Sequence, residues 1–116
     1  MSFLARIEEE RHGATPVAAV VGEIDSSNVR EIVKRVHALL TNRTEALVVD
    51  LARTSYIDSA GINMLFSLGD ELAQHQQRLH LVVDPASPIA RMLTITGLDA
   101  TVATHATRDA AVAAAS

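Results

Sequence analysis

The 116-residue chain carries a net charge of −4 and has no stripe of basic residues, which argues against a binder of nucleic-acid backbones. It lacks cysteine altogether, so disulfides, thiolate metal sites and redox chemistry are excluded together. Residues are 48% hydrophobic but only 3% aromatic, and the implied core is aliphatic and rich in alanine. A chain of this size predicts a single domain over 1–116, with a radius of gyration of about 13 Å. No apolar run approaches the ~20 residues of a membrane span. The N-terminus reaches Glu8-Glu9-Glu10 without a signal-peptide core, so a cytoplasmic protein with no membrane insertion is expected.

Phe3 to Glu10 alternates loosely, Phe3, Ala5 and Ile7 against Leu4, Arg6 and Glu8, as a strand with one wet face would. His12-Gly13-Ala14 is turn material, and the apolar run Pro16 to Val21 is expected to pair antiparallel with the first strand. That run ends at Gly22-Glu23-Ile24-Asp25. After Ser26-Ser27 the spacing predicts a helix, with Asn28 and Glu31 in a capping-box arrangement. Val29, Ile32, Val33, Val36, Leu39 and Leu40 mark its apolar face, while Arg30, Lys34 and Arg35 lie off it. Thr41 to Thr44 ends the helix, and Ala46 to Leu51 is short, β-branched and suited to one buried strand.

Ala52 to Ile57 reads as a connection to Asp58-Ser59-Ala60-Gly61. Asp58 is suited to cap a second helix, since its carboxylate can accept a backbone N–H of the first turn. Ile62, Leu65, Phe66, Gly69, Leu72 and Ala73 then recur at helical spacing, and Met64 and Leu68 widen the apolar face. Ser59 falls in the first turn, near unpaired N–H groups and the positive end of the helix dipole. A phosphate there would be electrostatically tolerated, although local sequence alone favours the plainer reading, that Ser59 merely helps to start the helix.

Leu79 to Val83 predicts a further strand, closed by Asp84-Pro85. Ser87 and Pro88 supply a cap and a proline at the first helical position, Ile89, Met92 and Leu93 an apolar stripe, and Gly97 a C-terminal stop. Thr101 to His105 is a last strand, and Thr107 is placed to cap the alanine-rich tail. The order β-β-α-β-α-β-α-β-α gives the α/β class, a mainly parallel mixed sheet with an antiparallel N-terminal strand.

Several chemistries find little support in the residues. Ser59, Asp84 or Asp99, and His105 follow the chain order of a serine hydrolase, yet Ile57 stands where the nucleophile elbow wants glycine and no glycine-rich oxyanion loop exists. A phospho-accepting aspartate at Asp50 would need clustered acids and a late lysine, and the single lysine is Lys34; Asp50 reads as a strand-end residue satisfying loop amides. The five histidines, His12, His37, His75, His80 and His105, show no metal-ligand spacing, and the five glycines are isolated. Neither a metal nor a cofactor is expected.

Taken together, Gly22-Glu23-Ile24-Asp25 before a helix, a buried strand, and then Tyr56-Ile57-Asp58-Ser59-Ala60-Gly61 resemble the STAS domain, and more narrowly a bacterial anti-sigma-factor antagonist. Ser87-Pro88-Ile89-Ala90-Arg91-Met92-Leu93 followed by Gly97-Leu98 matches the later helix region of that family, so the resemblance runs from about Phe3 to Ala114. It implies a protein that is a substrate and binder rather than an enzyme. Ser59 would be phosphorylated by an anti-sigma factor that is also a serine kinase. The unphosphorylated form would hold that kinase and free a sigma factor, and a serine phosphatase would reset the switch. The implied docking surface comprises Glu23, Ile24 and Asp25 with Asp58, Ser59, Ala60, Gly61, Asn63 and Met64. Ala60 departs from the pattern by replacing a second serine common in the motif. Alternatives within the resemblance are an accessory subunit of a lipid transporter or a signalling scaffold, in which Ser59 need not be modified.

Overall fold

The structure, a computed structural model, describes residues 5–116. Phe3 and Leu4 of the predicted first strand lie outside the described residues. The hairpin forms as expected: β1 (Ala5–His12) pairs antiparallel with β2 (Thr15–Ile24) across a turn at Gly13, whose φ is +62°. Ala5 and Ile7 point into the core while Arg6 and Glu8 face outward, the alternation the sequence carries.

The first helix is α1 (Val29–His37), and β3 (Ala46–Asp50) follows it. β4 (Thr54–Ile57) leads into α2 (Ser59–Gln74) and then β5 (Arg78–Val82). The remainder is α3 (Pro88–Thr96), a 3₁₀ turn (Leu98–Ala100), β6 (Ala103–His105) and α4 (Arg108–Ala115). The sheet runs β1-β2-β3-β5-β6, all neighbours parallel except β1 and β2. The radius of gyration, 12.8 Å, is that of a packed chain of this length.

β4 is the element that the sequence does not announce. β2 is longer than β3 can cover: Val17 to Ala19 pair with Val48 to Asp50, and from Gly22 to Ile24 the same edge pairs with β4, with a register shift between Gly22 and Glu23. Thr54 fixes the exchange by donating its hydroxyl to Val20 O at 2.7 Å, and Gly22 N reaches Arg53 O at 3.1 Å. Gly22 sits at φ +117°, a backbone only glycine adopts without strain.

The two sheet faces are covered unequally. Val20, Leu47, Val49 and Leu81 pack under α1, α2 and α3, against Ile32, Val36, Leu65, Leu72 and Leu93. The opposite face is closed by α4, where Ala111 and Ala115 lie on Val17, Ala46, Val48 and Val82. Small residues on both sides of that contact let a two-turn helix lie close to the sheet. Asp50, only 6% exposed at the end of β3, accepts Ala52 N at 2.8 Å and Arg108 Nε at 2.9 Å. Its role is the expected one of satisfying loop amides, with the α4 guanidinium as a second partner.

Candidate functional site

Because β2 and β4 run parallel, their C-terminal ends reach the same rim of the sheet. Glu23 is in register with Tyr56, and Ile24 with Ile57, so the residues that follow each pair, Asp25 and Asp58, emerge together. Asp58 N donates to Ile24 O at 3.2 Å, and Asp58 Oδ1 accepts Gly61 N at 3.1 Å, capping α2 as its sequence predicts. Ser59 is exposed in the first turn, while Leu65 and Leu72 of the same helix are fully buried. The Asp58 end of the rim is thereby fixed by one backbone hydrogen bond and by its own short carboxylate.

The capping box expected at Asn28 does not form. Asn28, 3% exposed, makes no cap bond to α1; it turns back to accept Asp25 N at 3.1 Å and to donate to Glu23 O at 2.8 Å. A buried amide satisfies two loop groups here, a better use of it than one exposed helix amide. Asp25 in turn accepts Ser27 N at 2.9 Å and the Ser27 hydroxyl at 2.5 Å. The loop from Glu23 to Asn28 is thus a bonded unit that presents the Glu23 side chain outward.

The sequence-derived surface residues divide by exposure. Glu23, Ser59 and Asn63 are exposed, and Asp25, Asp58 and Ala60 are half-buried. Ile24, Gly61 and Met64 are buried, so Ile24 and Gly61 shape the rim from beneath and present no side chain to a partner. Their burial has one cause: Ile24, Ile57 and Gly61 interlock at the root of α2. A Cβ on Gly61 would come within 2.5 Å of Ile57 Cγ1 and 2.8 Å of Ile24 Cγ2. Gly61→Ala gains about 0.5–1 kcal/mol of helix propensity and loses about 1–3 kcal/mol to overpacking. The expected result is a net destabilisation of about 1 kcal/mol with a displaced first turn, measured by denaturant unfolding; a more stable variant would contradict this packing.

Between α1 and α2 runs a groove of about 390 Å³. Val29, Val33, Ala60, Met64 and Leu68 form its apolar floor, with Arg30, Asn63 and Glu71 at the rim. His37 Nε2 meets Glu71 Oε1 at 2.9 Å across the two helices. The groove brings Ala60, Asn63 and Met64 together beside Ser59. The docking residues implied by the resemblance leave out the α1 wall and Tyr56, which stands in the quoted motif and is 50% exposed next to Glu23. A signal was available: Tyr56 is the chain's single tyrosine, set in a polar segment where no core position calls for it.

The residues that mimic a hydrolase triad are engaged elsewhere. His105 Nε2 lies 3.0 Å from His80 Nδ1, Asp99 accepts the Thr94 hydroxyl at 2.8 Å, and Asp84 accepts Ala86 N at 2.9 Å. Among the described residues there is no group of three or more His, Asp or Glu side chains fit to hold a metal, and no helix long and apolar enough to cross a membrane.

Comparison with known proteins agrees with this geometry. Residues 7–104 match the family model described as Mlab, STAS domain. The fold superposes on the crystal structure of an anti-sigma factor antagonist from Mycobacterium paratuberculosis with a TM-score of 0.84 and 28% identity, covering 96% of this chain and 93% of that one. The unphosphorylated form of the anti-sigma factor antagonist SpoIIAA gives 0.75 at 21% identity, covering 92% and 93% of the two chains, a likeness of fold. Osmosensory protein A of Mycobacterium tuberculosis is 32% identical over 82 residues, 71% of this chain and 51% of that protein, so the chain spans about half the length of this curated relative. With the matched span running from the first strand to the last and enclosing the Asp58-Ser59 rim, the chain belongs to the STAS domain family.

Proposed function

We propose that this STAS domain is an anti-sigma-factor antagonist that works by partner switching. Unphosphorylated, it binds an anti-sigma factor that is also a serine kinase; phosphorylation of Ser59 releases it, and a serine phosphatase restores the binding form. The domain is then a substrate and regulator of transcription, without catalysis of its own. The observation that carries the proposal is the placement of Ser59, exposed in the first turn of α2 beside the acidic loop of Glu23 and Asp25. Similarity along 96% of the chain to a mycobacterial anti-sigma factor antagonist supports it. The test is a pulldown from the native cell with mass spectrometry of partners and of Ser59. An anti-sigma kinase among the partners is expected; stable copurification with a transporter ATPase and an unmodified Ser59 would instead favour an accessory transporter subunit.

On this reading the loop is part of the interface. Asp25→Ala would break the bonds to Ser27 as well as remove a charge, so Asp25→Asn is the cleaner change. Glu23→Ala combined with Asp25→Asn is expected to weaken kinase binding about tenfold, roughly 1.4 kcal/mol. Thermal stability should stay within about 0.5 kcal/mol, as for most surface changes. Calorimetry showing unchanged affinity would remove this loop from the interface.

A further inference from the structure

Between the sheet and α4 two imidazoles share one hydrogen bond. His80 of β5 and His105 of β6 are on neighbouring strands, with His80 Nδ1 3.0 Å from His105 Nε2 and ring centroids 5.2 Å apart. His80 is only 4% exposed, and its Nε2 is buried without a hydrogen-bond partner among the described residues. His105 is half-buried, and it is the member of the pair that meets solvent. With both rings neutral, His80 can donate from Nδ1 and leave Nε2 as a bare acceptor, the less costly orphan. A proton on His105 reverses the bond and moves the His80 hydrogen to Nε2, a buried donor with no acceptor. A second proton sets two N–H groups against each other.

The carboxylates nearby are engaged elsewhere: Asp99, which shares a cleft wall with His105, accepts the Thr94 hydroxyl. Arg78 on β5 and His105 on β6 both oppose a charge on His80. Asp50 of β3 is occupied by Arg108 of α4, and Asp109 of α4 is exposed on the first turn. Among the described residues neither ring has an ion-pair partner, whereas His12 pairs with Glu10 and His37 with Glu71. Burial, then His105 and Arg78, push the His80 imidazole below the ordinary histidine value.

We propose that the His80–His105 pair is an acid-sensitive latch, whose protonation loosens β6 and α4 from the sheet while the β1-β2 hairpin and α2 stay folded. The sign follows from linkage. The folded chain keeps His80 neutral where the unfolded chain takes up a proton. Stability is therefore full above about pH 6.5, and it is lost as pH falls from there through the lower folded value. One proton lowers the equilibrium constant at most about tenfold per pH unit. β6 is a three-residue edge strand and α4 an eight-residue helix, too short to persist without packing, so they open first. The latch is independent of what happens at Ser59.

Hydrogen exchange of the full chain at about pH 7.5 and about pH 5.5, corrected for intrinsic rates, tests this in the window where histidine changes charge. Exchange in residues 103–115 is expected to rise about fivefold to tenfold on acidification, while β2 and α2 stay within about twofold. His80→Leu should abolish the rise. A wild-type change below about twofold, or the same rise in His80→Leu, would overturn the latch. Should His80→Leu fail to fold, ring NMR of the wild type decides: His80 must titrate below the ordinary histidine value of about 6.5 and in step with the Val112 methyls of α4. Titration of His80 at or above that value, or Val112 unmoved as His80 titrates, would overturn it.

Discussion

Phosphorylated Ser59 is expected to bind the cognate kinase about a hundredfold more weakly than the unmodified protein, a loss of ~3 kcal/mol. Phosphate adds about −1.5 to −2 charges at neutral pH. In the free protein those charges meet the amides of the first turn of α2 and the positive end of its dipole, so the fold should survive. In a complex the same group must be desolvated beside Asp58 and Asp25, whose strands deliver them to one rim. Like charges brought together at an interface cost several kcal/mol. Ser59→Ala should keep the kinase bound and resist modification. Ser59→Asp should imitate release only in part, since a carboxylate has less charge and fewer acceptor oxygens than a phosphate. Equal affinities for the unmodified protein, the phosphoprotein and both variants would end the switch.

The second large effect is on stability. Arg108→Ala is expected to cost about 3 kcal/mol, because it leaves the Asp50 carboxylate buried with one amide in place of an amide and a guanidinium. It also cuts the tie to Glu10 at 2.5 Å, which joins α4 to β1. Glu10 is held below the usual carboxylate range first by His12 and then by Arg108, but it is exposed and its share is small. In an Asp50→Asn background the Arg108 change should cost less than half as much, since no buried charge is then stranded. Denaturant unfolding of the four proteins measures this directly; an Arg108→Ala cost within about 0.5 kcal/mol would show that the pair is not what holds α4 down.

What the sequence made legible, and what it hid, divides by the range of the interaction. Caps act over three residues, so Asp58, Ser87 and Thr107 were readable, and each accepts the expected amide, from Gly61, Ala90 and Ala110. Gly97 was readable as a helix stop for the same reason and adopts the left-handed conformation at φ +80°. Asn28 had the right local pattern but a stronger distant use, in the loop of Glu23 and Asp25. β4 was illegible because its partner lies more than thirty positions earlier, and its burial pattern lacks a period of two. The predicted strand from Thr101 shrank to Ala103–His105 because a 3₁₀ turn follows Gly97 and Val102 N bonds back to Leu98 O. Placement of Ser59 was local and therefore readable; the groove wall from α1 and the His80–His105 pair are products of topology, which no spacing rule reveals.

The central claim, that Ser59 is the switch, is tested most directly by incubating the protein with its cognate anti-sigma kinase and ATP and mapping the phosphate by mass spectrometry. Ser55 of β4 and Ser67 of α2 are also exposed and serve as internal controls. Stoichiometric phosphate on Ser59, abolished in Ser59→Ala, is the predicted result. Phosphate on Ser55 or Ser67 with Ser59 unmodified would contradict it.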